Sequence, residues 1–130
     1  MPLPPKTHQK INADLVGRPL EVETDRFARV SLVTQPEMVA DEHGLIHGGF
    51  TFGLADYAAM IAVNHPNVVL AEAQVRFLRP VKLGDILLAL ARVTESEGSR
   101  RNVEVEIRVA DQVVFQGSFT CYIPEKHVLA

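Results

Sequence analysis

The stretch His47–Pro66, HGGFTFGLADYAAMIAVNHP, contains one formally charged residue, Asp56, and no other lies between Glu42 and Glu72. Its apolar residues include Phe50, Leu54, Ala58, Met60, Ile61 and Val63, and read at a helical period they leave no polar face. A helix that is apolar all round must be covered on every side. One five- or six-stranded sheet covers only part of it, so a second subunit is expected to cover the rest. A carboxylate in such a place must be paired, hydrated or chemically employed, because an isolated buried one costs several kcal/mol or takes up a proton. Gly44–Val63 is long enough to suggest a membrane span. An Asp at the centre of one costs about 2.5–3.5 kcal/mol, which favours a buried core helix.

Outward from this helix the pattern changes. Asn64-His65-Pro66-Asn67 is a stop and turn. Beyond it Ala71, Ala73, Val75 and Phe77 alternate with Glu72, Gln74 and Arg76, the period of a strand with one apolar face. Pro80 and Gly84-Asp85 bound that strand, and Ile86–Val93 opens the next. Val103, Val105, Ile107 and Val109 alternate with Glu104, Glu106 and Arg108, and after a turn at Asp111-Gln112, Val113–Ile123 completes a meander. Before the helix, Lys6–Val16 predicts a short leading helix, and Leu20–Thr34 a hairpin broken at Thr24-Asp25-Arg26. Gln35–Ile46 reads as a loop. One helix followed by four strands predicts an α+β fold, an antiparallel sheet wrapped around one long central helix, with residues 1–130 as a single domain.

Composition narrows the function. A net charge of −3 with scattered Lys and Arg gives no basic footprint for a nucleic-acid partner. One cysteine, Cys121, excludes an internal disulfide framework and fits a reducing compartment. The start, MPLPPKTHQK, lacks the apolar core of a signal peptide, so a cytoplasmic location with no membrane association is expected.

The segments IHGGFTFGLADYAAMIAVN (46–64) and VRFLRPVKLGDIL (75–87) resemble the PaaI-like hot-dog thioesterases. The motif there runs Asn-x-x-Gly-x-x-His-Gly-Gly and continues to Leu-x-Asp on the helix. The likeness extends over about Glu42–Ile107. It implies hydrolysis of an acyl-CoA, with the Gly48 N–H holding the thioester oxygen and Asp56 acting as general base or nucleophile. His47 would fix the loop and donor geometry. Asp41 stands where many relatives have Asn, and Leu70 where relatives carry Ser or Thr; Glu72 and Gln74 are the polar candidates to replace it. Gly49, Phe50 and Tyr57 are expected against the substrate, with Phe52 and Met60 in the same apolar pocket. Arg100 and Arg101 are expected near the phosphates of coenzyme A, for which Arg is suited. No metal or redox cofactor is required.

Spacing adds a constraint. Eight residues separate Gly48 from Asp56, so at 1.5 Å rise they stand about 12 Å apart along one helix. Catalytic contacts are near 3 Å, so one thioester carbon cannot meet both. Two such helices antiparallel across a two-fold axis would bring Gly48 of one chain to Asp56 of the other. A homodimer with two interfacial sites is expected, alone or as a dimer of dimers.

Each feature also has a structural reading. Asp56 could be satisfied by backbone N–H groups, and Gly48-Gly49 could serve close helix packing. Asp41, His43 and His47 resemble a metal cluster, but Gly44 breaks the helical register and no further ligand is evident. Cys121 reads as core packing. Two other functions fit less of the pattern. One is a non-catalytic acyl-CoA binding or sensing hot-dog protein, for which no helix-turn-helix precedes the domain. The other is a hot-dog dehydratase, whose Asp-x4-His dyad is absent.

Overall fold

The computed structural model describes residues 5–130; Met1–Pro4, part of the proline-rich start discussed above, lie outside them. The order is α1 (Ala13–Val16), β1 (Arg18–Glu23), β2 (Phe27–Val33), a 3-10 turn (Pro36–Met38), α2 (Gly48–Val63), β3 (Val69–Phe77), β4 (Ile86–Glu97), β5 (Arg100–Val109) and β6 (Gln112–Tyr122). The leading helix is shorter than its sequence predicts. Asn12 caps it by accepting the Asp14 N–H, so the helix begins at Ala13 rather than Lys6.

The six strands form one antiparallel sheet in the order β1-β2-β4-β5-β6-β3. The sheet is therefore a meander only from β4 to β6: β2 pairs with β4, and β3 crosses to the far edge beside β6. On the inner face Val30 pairs with Ala89, Ala89 with Ile107 and Ile107 with Phe115. The outward residues of β5 are those read as polar, Glu104, Glu106 and Arg108. Alanines at 28, 89 and 91 on the sheet and 55, 58, 59 and 62 on the helix are all 0% exposed, so the backbones approach closely.

α2 begins at His47, whose Nδ1 accepts the Gly49 N–H, and ends at Asn64, which adopts the left-handed conformation at φ 53°. From Leu54 to Val63 every residue but Asp56 is buried within the single chain. The cover expected of a second subunit is thus supplied over this part by the chain itself, while Gly48, Phe50, Phe52 and Gly53 are half-buried and Gly49 is exposed. Met38, Ile46, Val68 and Val81, all on connecting loops, enclose what the sheet does not.

β3 carries a bulge between Leu70 and Glu72. Leu70 pairs with Cys121 and Ala73 with Phe119, so both face α2, and Ala71 is the extra residue. Simple alternation from Ala71 therefore misplaces the start of the strand. Glu72 and Gln74 pair with Thr120 and Ser118 on the face turned away from the helix.

Gly17 joins α1 to β1 at φ 115°, where a Cβ would stand 2.8 Å from Val30 Cγ1 and 3.0 Å from Leu54 Cδ1. Gly17→Ala adds an unfavourable backbone conformation to overpacking against the central helix. It is expected to destabilise the fold by about 2–4 kcal/mol, read as a lower denaturant midpoint at unchanged slope.

Candidate functional site

The entry to α2 is a prepared donor. His47 sits at the N-cap with extended backbone, and its Nδ1 takes the Gly49 N–H at 2.9 Å. In the neutral ring this leaves the proton on Nε2, so His47 offers an outward N–H. Among the described residues the Gly48 N–H has no acceptor. It lies at the positive end of a 16-residue helix, where an oxyanion is favoured. The Phe77 ring lies 3.3 Å from where a Cβ of residue 48 would be, so glycine lets the β3 end close on this terminus.

Two turns along the same helix, Asp56 Oδ1 is buried and has no hydrogen-bond partner among the described residues. Burial pushes its carboxyl up from 3.8 to about 6. It opens on a cavity of about 320 Å3 floored by Met60, Val68, Val69 and Leu70. Cys121 stands close enough to feel its charge. Burial and then that charge push the thiol up to about 12, which makes it an inert core group. A larger concavity of about 490 Å3 lies on the outer sheet face between Phe27, Leu90, Arg92 and Glu104. It contains no buried unpartnered group, so the chemistry points to the smaller cavity at Asp56.

A family model described as the thioesterase superfamily matches residues 43–116. This chain is a hot-dog protein of the thioesterase superfamily. It is similar over its whole length to an uncharacterised protein, PH1136, from Pyrococcus horikoshii, at 51% identity and TM-score 0.95, covering 99% of that chain. The E. coli PaaI protein from the phenylacetic acid degradation operon aligns at 26% identity and TM-score 0.78, over 87% of this chain and 83% of that one. Among curated relatives, an Aquifex aeolicus protein named methylthioribose-1-phosphate isomerase is 52% identical over 88% of this chain. The Bacillus cytotoxicus transcription factor FapR is 30% identical over 84%. The hot-dog chain spans a quarter of the first and about half of the second.

The remaining site candidates of this hot-dog chain divide by position. Phe50 meets His47 edge-on at 6.4 Å between ring centroids, beside the donor. Phe52 turns into the core against Phe119 at 5.7 Å. Tyr57 is buried, and burial raises its phenol above 10. Asp41 accepts the His43 and Leu45 N–H groups with one oxygen, holding the loop that leads to His47. Within the chain its charge is not a cause of the Asp56 shift, which is due to burial. Arg101 donates to Asp25 and to the Gly98 and Arg100 carbonyls, and its side chain is only 14% exposed. Arg100 pairs loosely with Glu95 at 3.5 Å. Of this pair Arg100 has more freedom to meet a phosphate.

Four cavity residues escape a sequence reading: Thr7, His8, Asn67 and His127. Thr7 and His8 come from before α1 and His127 from after β6, while Asn67 belongs to the turn that closes α2. Lys6 N–H donates to Asn64 Oδ1 at 2.7 Å, and Asn67 Nδ2 donates to the Pro124 and Glu125 carbonyls. The signal for this was Asn64-His65-Pro66-Asn67 itself, whose amides serve as ties as well as turn formers.

The Asp56 shift has a stability consequence of definite sign. A carboxyl raised in the fold binds a proton more tightly there than in the unfolded chain, so stability falls as pH rises from about 3.8 to about 6. Asp56→Asn is expected to be more stable than the parent at pH 7.5, by on the order of 2–3 kcal/mol, with the difference gone near pH 4. Thermal melts of both proteins at the two pH values check this.

Proposed function

We propose that the protein is an acyl-CoA thioesterase working at homodimer-shared sites, and that it is cytoplasmic. The observation that carries this is the buried, unpartnered Asp56 oxygen facing a cavity, two turns from an unpartnered amide on the same helix. Asp56 takes a proton from water as the water oxygen attacks the thioester carbon. The carbonyl oxygen, now negative, is held by the Gly48 N–H and assisted by the outward N–H of His47. Collapse of the tetrahedral intermediate breaks the C–S bond, and the proton held by Asp56 passes to the departing thiolate, giving free acid and CoA. Direct attack by Asp56 to give a mixed anhydride uses the same groups.

The geometry of β3 supports a shared site. This strand is paired on one side only, with β6. Its last residue, Phe77, touches the Gly48 end of α2, and Leu70, near its start, lines the Asp56 cavity. Antiparallel pairing of two β3 edges about a two-fold axis sets the start of one strand against the end of the other. Asp56 then lies beside the partner's Gly48, as the 12 Å spacing within one helix requires. Gly49, Phe50 and Tyr57 border this junction, and Arg100 reaches toward the CoA phosphates.

The second reading is an acyl-CoA binding protein that does not cleave. It is favoured by Leu70, which puts an aliphatic side chain in the cavity where a water-binding hydroxyl is expected, and by the likeness to a relative named a transcription factor rather than an enzyme. Thiol release from an acyl-CoA panel decides between them. Turnover lost in Asp56→Asn supports the hydrolase; tight binding without thiol release by either protein supports the sensor. For the hydrolase, kcat/KM should fall tenfold per pH unit below about 6, where Asp56 protonates.

A complementation test reads the shared site. Proline is accepted at the first helical position, and His47 already has the extended backbone that precedes one. Gly48→Pro therefore removes the donor, with the half-exposed Phe77 ring giving way by a few tenths of an ångström to the new Cβ, and is expected to lower kcat by about 10²–10³. Mixed with Asp56→Asn, half of randomly exchanged dimers are heterodimers with one intact site each. Activity should return to about a quarter of the parent's; a mixture that stays inactive after exchange places the site within one chain.

A further inference from the structure

We infer that the Asp56 cavity takes the straight, unsubstituted hydrocarbon chain of a medium-length acyl-CoA, and that Met60 sets the limit of chain length. This rests on the proposed role of Asp56, which places the thioester carbon at one point of the cavity wall. Met60 follows Asp56 by four residues on α2, so the two side chains are neighbours on one helix face. Both line the cavity. The rest of the lining is wet in one part and dry in another. His8, Pro66 and His127 are exposed, and the CoA end of an ester, too large for the cavity, leaves through the exposed part. Met60, Val68 and Thr7 are 1%, 3% and 4% exposed. They close the part into which an apolar chain is drawn.

The dry part offers no bond to a polar chain. Thr7 Oγ1 lies 2.8 Å from His8 Nδ1, and Asn67 Nδ2 donates to the Pro124 and Glu125 carbonyls. Among the described residues the one buried side-chain oxygen or nitrogen without a partner is Asp56 Oδ1, which the proposed reaction employs. A hydroxyl or keto group along the acyl chain loses its water there and gains no hydrogen bond. A terminal carboxylate in addition stands near Asp56, charge beside charge. Methylenes meet neither obstacle, and each one buried tightens binding about fourfold.

Volume then fixes the length. An apolar cavity of about 150 Å3 takes one benzene, and this one, at about 320 Å3, is roughly twice as large. It has room for about ten to twelve heavy atoms, and with the carbonyl oxygen and the attacking water counted, the chain it holds has about eight carbons. Met60 suits the place where the chain stops. Its unbranched thioether adapts to the space that a shorter chain leaves, while its burial leaves a longer one nowhere to go.

The test is a series of dissociation constants for straight-chain acyl-CoAs from acetyl to dodecanoyl, read by titration calorimetry on Asp56→Asn so that the esters are not consumed. The constants are expected to fall about fourfold per methylene as far as octanoyl-CoA and then to level off. Suberyl-CoA, as long as octanoyl-CoA but ending in a carboxylate, should bind at least about tenfold more weakly. Adding Met60→Ala removes three heavy atoms from the wall and should move the break about three carbons further. Val68→Ala, a smaller truncation of the same wall for the case in which Met60→Ala does not fold, should move it by about two. Constants that ignore chain length, suberyl-CoA binding as well as octanoyl-CoA, or a break that stays at octanoyl in the folded variants would overturn the inference. If the parent releases thiol from no ester, the hydrolase reading fails, and these constants still decide the role of Met60. If thiol is released but the constants ignore chain length, the hydrolase reading stands and the inference falls.

Discussion

The rest of the structure depends on one constraint: α2 is enclosed along most of its length by its own chain, yet contains a carboxylate. Leu54 to Val63 could be tightly wrapped because so many of these positions are alanine, against alanines on β2 and β4. That close approach removes water from Asp56 and raises its carboxyl to about 6. A group with that pKa is ionised at neutral pH yet basic enough to accept a proton from water in a transition state, which is the tuning a general base needs. The same burial makes the fold less stable above pH 6 than a neutral residue would. A carboxylate that costs stability and has no hydrogen-bond partner among the described residues has the perturbed character found at functional sites, which is the basis of the proposed role.

Much of this was legible in the sequence, and for identifiable reasons. The end of α2 follows from Asn64-His65-Pro66-Asn67, a strong local stop, and its start from Gly48-Gly49 at the edge of the apolar run; the cap made by His47 shows only in the structure, since His is not a usual N-cap. The β5 pattern is regular because one face packs on the helix and the other meets solvent. Asp56 and Gly48 are apparent because the surrounding segment is so uniform. What was not legible depends on pairings that periodicity cannot express. The bulge at Ala71 turns Leu70 inward and leaves Glu72 outward, and an alanine is equally acceptable on either face. The fate of Arg101 was set by Asp25, 76 positions away. The enclosure of the helix came from loop residues such as Met38 and Val81, which have no period to reveal them.

Without the extra residue in β3, a strand whose Ala73, Val75 and Phe77 face inward would put Ala71 against the helix and Leu70 outside. With it, Leu70 lines the Asp56 cavity, while Glu72, next to the inward Ala73, faces outward in either register. The bulge therefore acts on Leu70 alone: it sets an aliphatic side chain beside Asp56, which deepens the loss of water that raises the carboxyl.

Strand β3 then joins two roles that could have been separate. As a sheet edge it exposes unpaired backbone groups that invite another strand. It also runs from the start of α2 to its middle, with Phe77 against Gly48 and Leu70 beside Asp56. In the proposed dimer, pairing two such edges antiparallel would satisfy the backbone and, by the same movement, bring the donor of one chain to the carboxylate of the other. Assembly and site formation would then be one event, because the distance that keeps Gly48 and Asp56 apart in one chain would be spanned by the strand that joins two.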